Sequence, residues 1–222
     1  MPNSNLDNVI TAHEQPGGPP PGLGLLGKLR WGVKNPPTDP IVSFQGLTVL
    51  VTGANTGLGF ESGVKYAALG VSRLILGVWS AEKGESAKER ILQSSGRPSS
   101  DFTAILIVDL SDFESVKYFV RALNETTTRL DVALLNAGLA NPSFQQSAAG
   151  WEMGLQVNVL STALMAILLL PLLRATAATT PATTPKTTAP HLTFVNSFGH
   201  MLAERKWPRL SGSLIELAND LS

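Results

Sequence analysis

Thr52-Gly53-Ala54-Asn55-Thr56-Gly57-Leu58-Gly59 decides how the rest of the chain reads. An apolar, β-branched run, Leu47–Thr52, leads into it and a helical pattern, Gly57–Leu69, leads out, so the glycines occupy a strand-to-helix turn. Glycine there lets the backbone approach a ligand that a Cβ would hold off. The unpaired N–H groups and the positive dipole end of the helix that follows favour an anion, here a pyrophosphate. A plain tight turn also uses glycine; the strand before and the helix after distinguish the phosphate-binding form.

Working outward, the alternation continues: Arg73–Val78, a helix over Ala81–Ser94, Phe102–Val108, a helix over Ser111–Glu125, Leu130–Asn136, a long helix around Trp151–Thr176, and His191–Ser197. Strands alternating with helices predict an α/β domain, a doubly wound parallel sheet of Rossmann type, over residues 46–222. Residues 1–45 read as a flexible leader. Its Pro- and Gly-rich stretches, Gln15-Pro-Gly-Gly-Pro-Pro-Pro-Gly-Leu and Asn35-Pro-Pro-Thr-Asp-Pro, are poor material for a helix or a central strand. The leader lacks the charged start and apolar core of a secretory signal and the arginines of a transit peptide, which leaves a cytoplasmic setting as the expectation.

Composition narrows the function. The 222 residues carry 17 Lys+Arg against 17 Asp+Glu, with no basic stripe, so no nucleic-acid partner is expected. Without cysteine there is no thiolate nucleophile or Cys-ligated zinc, and His13, His191 and His200 lack metal-ligand spacing. Val159–Leu173 is apolar, but at 15 residues it falls short of the ~20 that span a bilayer, so a buried helix and no membrane partner are expected. Ala175–Pro190, rich in Thr, Ala and Pro, reads as an exposed connecting loop.

The turn has three residues between its first two glycines, and it resembles the T-G-x-x-x-G-x-G turn of the short-chain dehydrogenase/reductase family. Val108-Asp109-Leu110 looks like the family's adenine-contacting aspartate, Asn136-Ala137-Gly138 like its N-A-G motif, Asn158 like its active-site asparagine and Ser197 like its catalytic serine. Pro37-Thr-Asp-Pro, Ser43-Phe-Gln-Gly and Ser80-Ala-Glu-Lys-Gly resemble the fungal, retinol-dehydrogenase-like branch. The resemblance covers about residues 37 to 221. It implies hydride transfer between a nicotinamide and a small alcohol or ketone, in fungal specialised metabolism. Thr52, Gly53, Asn55, Gly57, Leu58, Gly59, Lys83, Asp109, Asn136, Ala137 and Gly138 would hold the cofactor, and Ser197 and Asn158 would serve catalysis. The family's assembly habits leave a homo-oligomer possible.

The resemblance also implies a Tyr-x-x-x-Lys pair downstream of the serine. After Ser197 the chain has no tyrosine, and Lys206 is its sole lysine there. Ser211-Gly-Ser-Leu-Ile-Glu-Leu resembles the insertion that precedes that pair, so the sheet is expected to be C-terminally incomplete. Tyr66 and Tyr118 lie far upstream and read as packing residues. A chain that binds a dinucleotide or a partner without turnover is therefore the alternative to an enzyme, and an unpaired edge at His191–Ser197 would make it poorly soluble.

Cofactor choice rests on the end of the second strand. NAD recognition wants an acid there, and Gly77-Val78-Trp79-Ser80 supplies none. NADP is the expected cofactor, NAD the less favoured, with Lys83 as the nearest cation; a solvated helix charge is the other reading of Lys83. Asp109 and Asn136 could equally cap local turns, with Ser111 the better cap for the third helix. Ser197 could be an ordinary strand-end hydroxyl, and Val-Asn-Ser-Phe-Gly is no nucleophile elbow for a hydrolase using His191 or His200.

Overall fold

A computed structural model of the chain describes residues 18–36, 40–179 and 189–197. The chain divides into two units, Met1–Ser43 and Phe44–Ser222. In the first, a helix α1 (Leu25–Lys34) forms inside the stretch expected to hold none. The Pro- and Gly-rich segments flank it, while Leu-Leu-Gly-Lys-Leu-Arg-Trp-Gly-Val-Lys between them contains no proline to interrupt a helical turn. None of its residues is buried.

The second unit is a parallel five-stranded sheet in the order β3-β2-β1-β4-β5, formed by β1 (Thr48–Thr52), β2 (Arg73–Val78), β3 (Thr103–Ile107), β4 (Val132–Leu135) and β5 (His191–Phe194). Between them run α2 (Gly57–Ala68), α3 (Ala81–Ser95), α4 (Phe113–Thr126), and a continuous helical stretch of α5 (Met153–Leu155), a π-turn (Gln156–Ser161) and α6 (Thr162–Thr179). The central strand β1 is buried along its whole length, so both of its faces must be apolar. The period of two sorts them: Val49 and Val51 join Phe60, Ala67 and Ile91 under α2 and α3, while Leu50 joins Phe119, Leu123 and Leu169 under α4 and α6. Helices on both faces give the doubly wound arrangement that the alternation predicts.

Sequence order reverses at β1. One chain half winds outward through β2 and β3, the other through β4 and β5, and the crevice at this switch lies beyond the C-terminal ends of β1 and β4. An ion pair with a buried carboxylate and a partly exposed guanidinium fixes the far end of the same two strands. Asp131 accepts two hydrogen bonds from Arg129, at 2.8 and 2.6 Å, and one from the Thr48 N–H at 2.9 Å. That hydrogen bond raises the Arg129 pKa above its ordinary value.

Three sequence expectations change. Ser111 does not cap the third helix; Asp112 does, accepting from the Glu114 N–H at 2.9 Å, because α4 begins at Phe113 and only a residue directly before that turn can reach its free amides. The apolar run is longer than 15 residues once its flanks are helical: the helical stretch Met153–Thr179 is 27 residues and contains an 18-residue window of mean hydropathy 1.9, long and apolar enough to cross a membrane by length and composition. Its Met165, Ala166, Leu169, Leu172 and Leu173 are nevertheless buried in the core. The helix also runs through Thr179 into the tract read as a loop, since Ala175–Thr179 offers no proline to stop it. Residues 180–188 of that tract and everything past Ser197, including His200, Lys206 and the 211–222 ending, lie outside the described residues.

Candidate nucleotide and substrate site

The glycine turn is held by its neighbours rather than by itself. Thr52, at the end of β1, is 2% exposed, and its hydroxyl accepts from the Asn136 and Ala137 N–H groups at 3.0 and 3.1 Å. The Asn136 side chain returns across the gap, donating to the Thr52 carbonyl at 3.0 Å and reaching the Gly53 carbonyl at 3.5 Å. These bonds lock the loop after β4 against the loop after β1. Thr52 and Asn136 therefore build the site's frame, and Thr52 faces neither cavity.

Two glycines of the turn are required by different things. Gly53 has φ +66°, and a Cβ on it would lie 2.9 Å from the Ala137 Cα. A Cβ on Gly59 would collide with the Gly53 carbonyl oxygen and stand 2.5 Å from the Asn136 side-chain nitrogen. Gly57, at φ +55°, meets nothing within 4 Å: its need is conformational, and the space before it is open.

The start of α2 is where an anion fits. Ser80 caps α3 and Asp112 caps α4, each with its side chain accepting a first-turn N–H. Thr56, at the same place on α2, makes no such bond, and the helix's first turn contains no acid. The first turn thus keeps its N–H groups facing out with the dipole uncompensated, at an opening kept clear by glycine.

Two cavities flank this turn. One, of about 410 Å³, is lined by Gly53 and Asn55 of the turn, by Gly77 and Val78 at the end of β2 and Trp79 after it, by Val108 to Ser111 after β3, and by Ala137 to Leu139. The other, of about 820 Å³, is lined by Leu58, Asn136 to Ala140, Asn158, Val159, Thr162, and Phe194 to Ser197. Ala137, Gly138 and Leu139 belong to both, so the cavities form one groove passing the glycine turn.

The side chains singled out in the sequence divide along this groove. Asn55, Asp109, Ala137 and Gly138 line the smaller cavity; Leu58, Asn136, Asn158 and Ser197 line the larger. Gly57 and Gly59 shape the turn without lining either. Asp109 uses Oδ1 to accept from both the Ser111 N–H and hydroxyl, at 2.8 and 2.6 Å, so it closes a local turn as well as facing the cavity. Asn158 stands in the π-turn and clasps Leu139 from both sides, accepting from its N–H at 2.9 Å and donating to its carbonyl at 2.8 Å. Lys83 lies outside the lining, with its Nζ 4.4 Å from the centroid of the Trp79 ring.

Neither tyrosine reaches the groove. Tyr66 packs edge-on against Phe44 with centroids 4.9 Å apart, and burial pushes its phenol above the ordinary pKa. Tyr118 is 65% exposed on α4. His191 opens β5 and lines neither cavity.

Sequence reasoning missed the loop that follows the N-A-G motif. Leu139, Asn141 and Gln145 line the smaller cavity from an irregular segment whose residues carry no periodic or motif signal. It also missed the π-turn, a widening of the helix that recurs at functional positions.

A family model described as short chain dehydrogenase matches residues 47–180. Among curated proteins, the short-chain dehydrogenase/reductase ffsI of Aspergillus flavipes is 44% identical over 180 residues, 81% of this chain and 51% of that protein. The short-chain dehydrogenase/reductase phmF of Phaeosphaeria nodorum is 41% identical over 200 residues, 90% of this chain and 57% of that protein. The chain spans about half the length of these curated relatives. Among solved structures, the Pseudomonas aeruginosa RhlG/NADP active-site complex is 28% identical with a TM-score of 0.51, covering 64% of this chain and 54% of that one. A short chain dehydrogenase from Escherichia coli CFT073 complexed with NADPH is 30% identical with a TM-score of 0.51, covering 63% and 57%.

Proposed function

The chain belongs to the short-chain dehydrogenase family, and from that premise we propose that it is the nucleotide-binding part of an NADP(H)-dependent oxidoreductase that interconverts a small alcohol and ketone. The observation that carries this reading is the uncapped, acid-free start of α2 behind a turn held open at Gly57, set between two cavities that share Ala137 to Leu139. A dinucleotide has that shape: a charged diphosphate between two ring systems.

The residues fit such a group. The Gly53–Gly59 turn and the N-terminal amides of α2 would hold the diphosphate, and the cavity behind Asp109 and Trp79 would take the adenosine half. The cavity walled by Asn158 and Ser197 would take the nicotinamide and the substrate. When bound, NADP(H) supplies or accepts the hydride. Ser197 would hydrogen-bond the substrate oxygen from the end of β5, and Asn158, with both amide atoms held by Leu139, would fix the wall it rests against. Apolar Leu58, Val159, Phe194 and Val195 would exclude water. The absence of an acid after β2 favours NADP over NAD, and the NADP and NADPH complexes among the solved relatives support this. The fungal sources of ffsI and phmF support a role in fungal specialised metabolism; a cytoplasmic setting, a small-molecule substrate and no nucleic-acid partner belong to the same reading. A homo-oligomer is part of the same reading.

Proton transfer needs an acid that Tyr66 and Tyr118 cannot supply from where they stand. This favours one second reading, in which these residues bind the nucleotide without turnover. NADPH titration followed by steady-state carbonyl reduction separates the two. Binding together with turnover that falls in Ser197→Ala supports the enzyme, binding alone supports the second reading, and no binding of either nicotinamide nucleotide overturns both.

A further inference from the structure

We propose that α1 docks the chain on an anionic membrane surface, its apolar stripe settling among the lipids and its cations meeting the acidic headgroups. The inference is independent of the dinucleotide reading. At 3.6 residues per turn Leu25, Leu26, Leu29 and Val33 fall on one stripe about 100° wide. All four are between 54% and 84% exposed, and no residue of the helix is buried. A helix of 10 residues is short to persist in water on its own hydrogen bonds. α1 therefore gains most from a surface that covers this stripe.

Charge decides what that surface is. From Gln15 to Thr38 the chain carries Lys28, Arg30 and Lys34 and neither Asp nor Glu, although the whole sequence balances 17 Lys+Arg against 17 Asp+Glu. Lys28 flanks the stripe on one side, Arg30 and Lys34 on the other, while Gly27 and Trp31 take the opposite side of the helix. All three cations are exposed, and among the described residues none pairs with an acid. A second copy of α1 would bring like charges together with no acid to offset them. Protein grooves are filled by large anchors, aromatic ones above all, and the one aromatic of α1, Trp31, stands away from the stripe. A layer of acidic headgroups over hydrocarbon meets the whole face at once, apolar side chains inward and cations at headgroup level. Ten residues rise only ~15 Å against ~30 Å of hydrocarbon, so α1 lies on the surface and does not cross it. This mode differs from the spanning one that the length of Met153–Thr179 would allow, and that stretch already packs Met165, Leu169 and Leu173 into the core.

The test is flotation of the whole chain on a density gradient with vesicles of phosphatidylcholine containing phosphatidylserine, and with vesicles of phosphatidylcholine alone; self-associated protein sinks in the same gradient. The wild type should float with the anionic vesicles and not with the neutral ones, and rising salt should release it. Lys28→Gln, Arg30→Gln and Lys34→Gln together should weaken binding on the order of a hundredfold, about fivefold per cation. Leu26→Gln with Val33→Gln should weaken it about tenfold with every cation in place. All these side chains are exposed, so thermal melting of both variants should match the wild type. A wild type that stays off anionic vesicles, or binds both kinds alike at every salt concentration, overturns the proposal. So does a triple variant that floats as the wild type does, which would place the contact elsewhere on the chain. A wild type that ignores vesicles while Leu26→Gln with Val33→Gln alters its elution in gel filtration overturns it too, and gives the stripe to a protein partner.

Discussion

Thr52 carries a hydroxyl that two backbone amides share, and replacing it separates framing from ligand contact. Thr52→Val keeps the volume but strands the Asn136 and Ala137 N–H groups in a buried setting, a loss of about 2 kcal/mol or more. Urea unfolding should show a lower midpoint at unchanged slope, and Thr52→Ser should restore it. The glycines behave differently from one another. Gly59→Ala drives a methyl into the Gly53 carbonyl, so the turn must move and NADPH binding should disappear. Gly57→Ala meets no atom and pays for positive φ alone, roughly 1–2 kcal/mol, so the variant should fold and bind more weakly. An unchanged NADPH affinity in Gly59→Ala would contradict this account of the turn. The glycine spacing was legible in the sequence because each glycine answers a local constraint. The role of Thr52 was not: its partners are 84 and 85 residues away, and no local pattern shows such a contact.

Among the elements, the π-turn connects the two halves of the groove. From one side Gln156, fully buried, donates to the Ser111 carbonyl in the loop that lines the smaller cavity. From the other, Asn158 clasps Leu139, which lines both cavities. Widening the helix by one residue puts these two side chains on different faces of a single turn. Asn158→Ala is therefore expected to cost about 1–2 kcal/mol of stability through two lost backbone partners. It should also weaken NADPH binding severalfold by freeing Leu139, measurable by calorimetric titration beside thermal melting; a melt and a titration both identical to the wild type would rule out the clasp as a support. Helices and strands were legible because hydrophobic period reports burial, and β1's continuous apolar run could only be a strand covered on both faces. A π-turn leaves that period almost intact over six residues, and so stayed invisible. Helix α1 was missed for the opposite reason: proline and glycine on both sides were allowed to speak for the ten residues between them.

At the scale of the whole molecule, the sheet is asymmetric in how it ends. Among the described residues β3 and β5 are both edge strands, paired with β2 and β4 alone, but β3 is mostly half-buried whereas β5 is mostly exposed. Three of its four residues are exposed, Phe194 at its end and Val195 just after it are 52% and 42% exposed, and Val159, Leu58 and Ile167 add exposed apolar surface. Unpaired strand N–H and C=O groups next to apolar side chains template pairing with another chain. The 222-residue chain is therefore expected to associate with itself, eluting in gel filtration at a volume that shifts with loading concentration. Phe194→Lys together with Val195→Lys places two charges at that edge and should move the population toward monomer. Both residues wall the larger cavity and neither touches the smaller one, so 2′,5′-ADP binding should survive the change and certify the fold. A sharp monomeric peak for the wild type at every concentration would show that the edge is already protected. An unchanged elution of the double variant with 2′,5′-ADP binding intact would place the association on another surface.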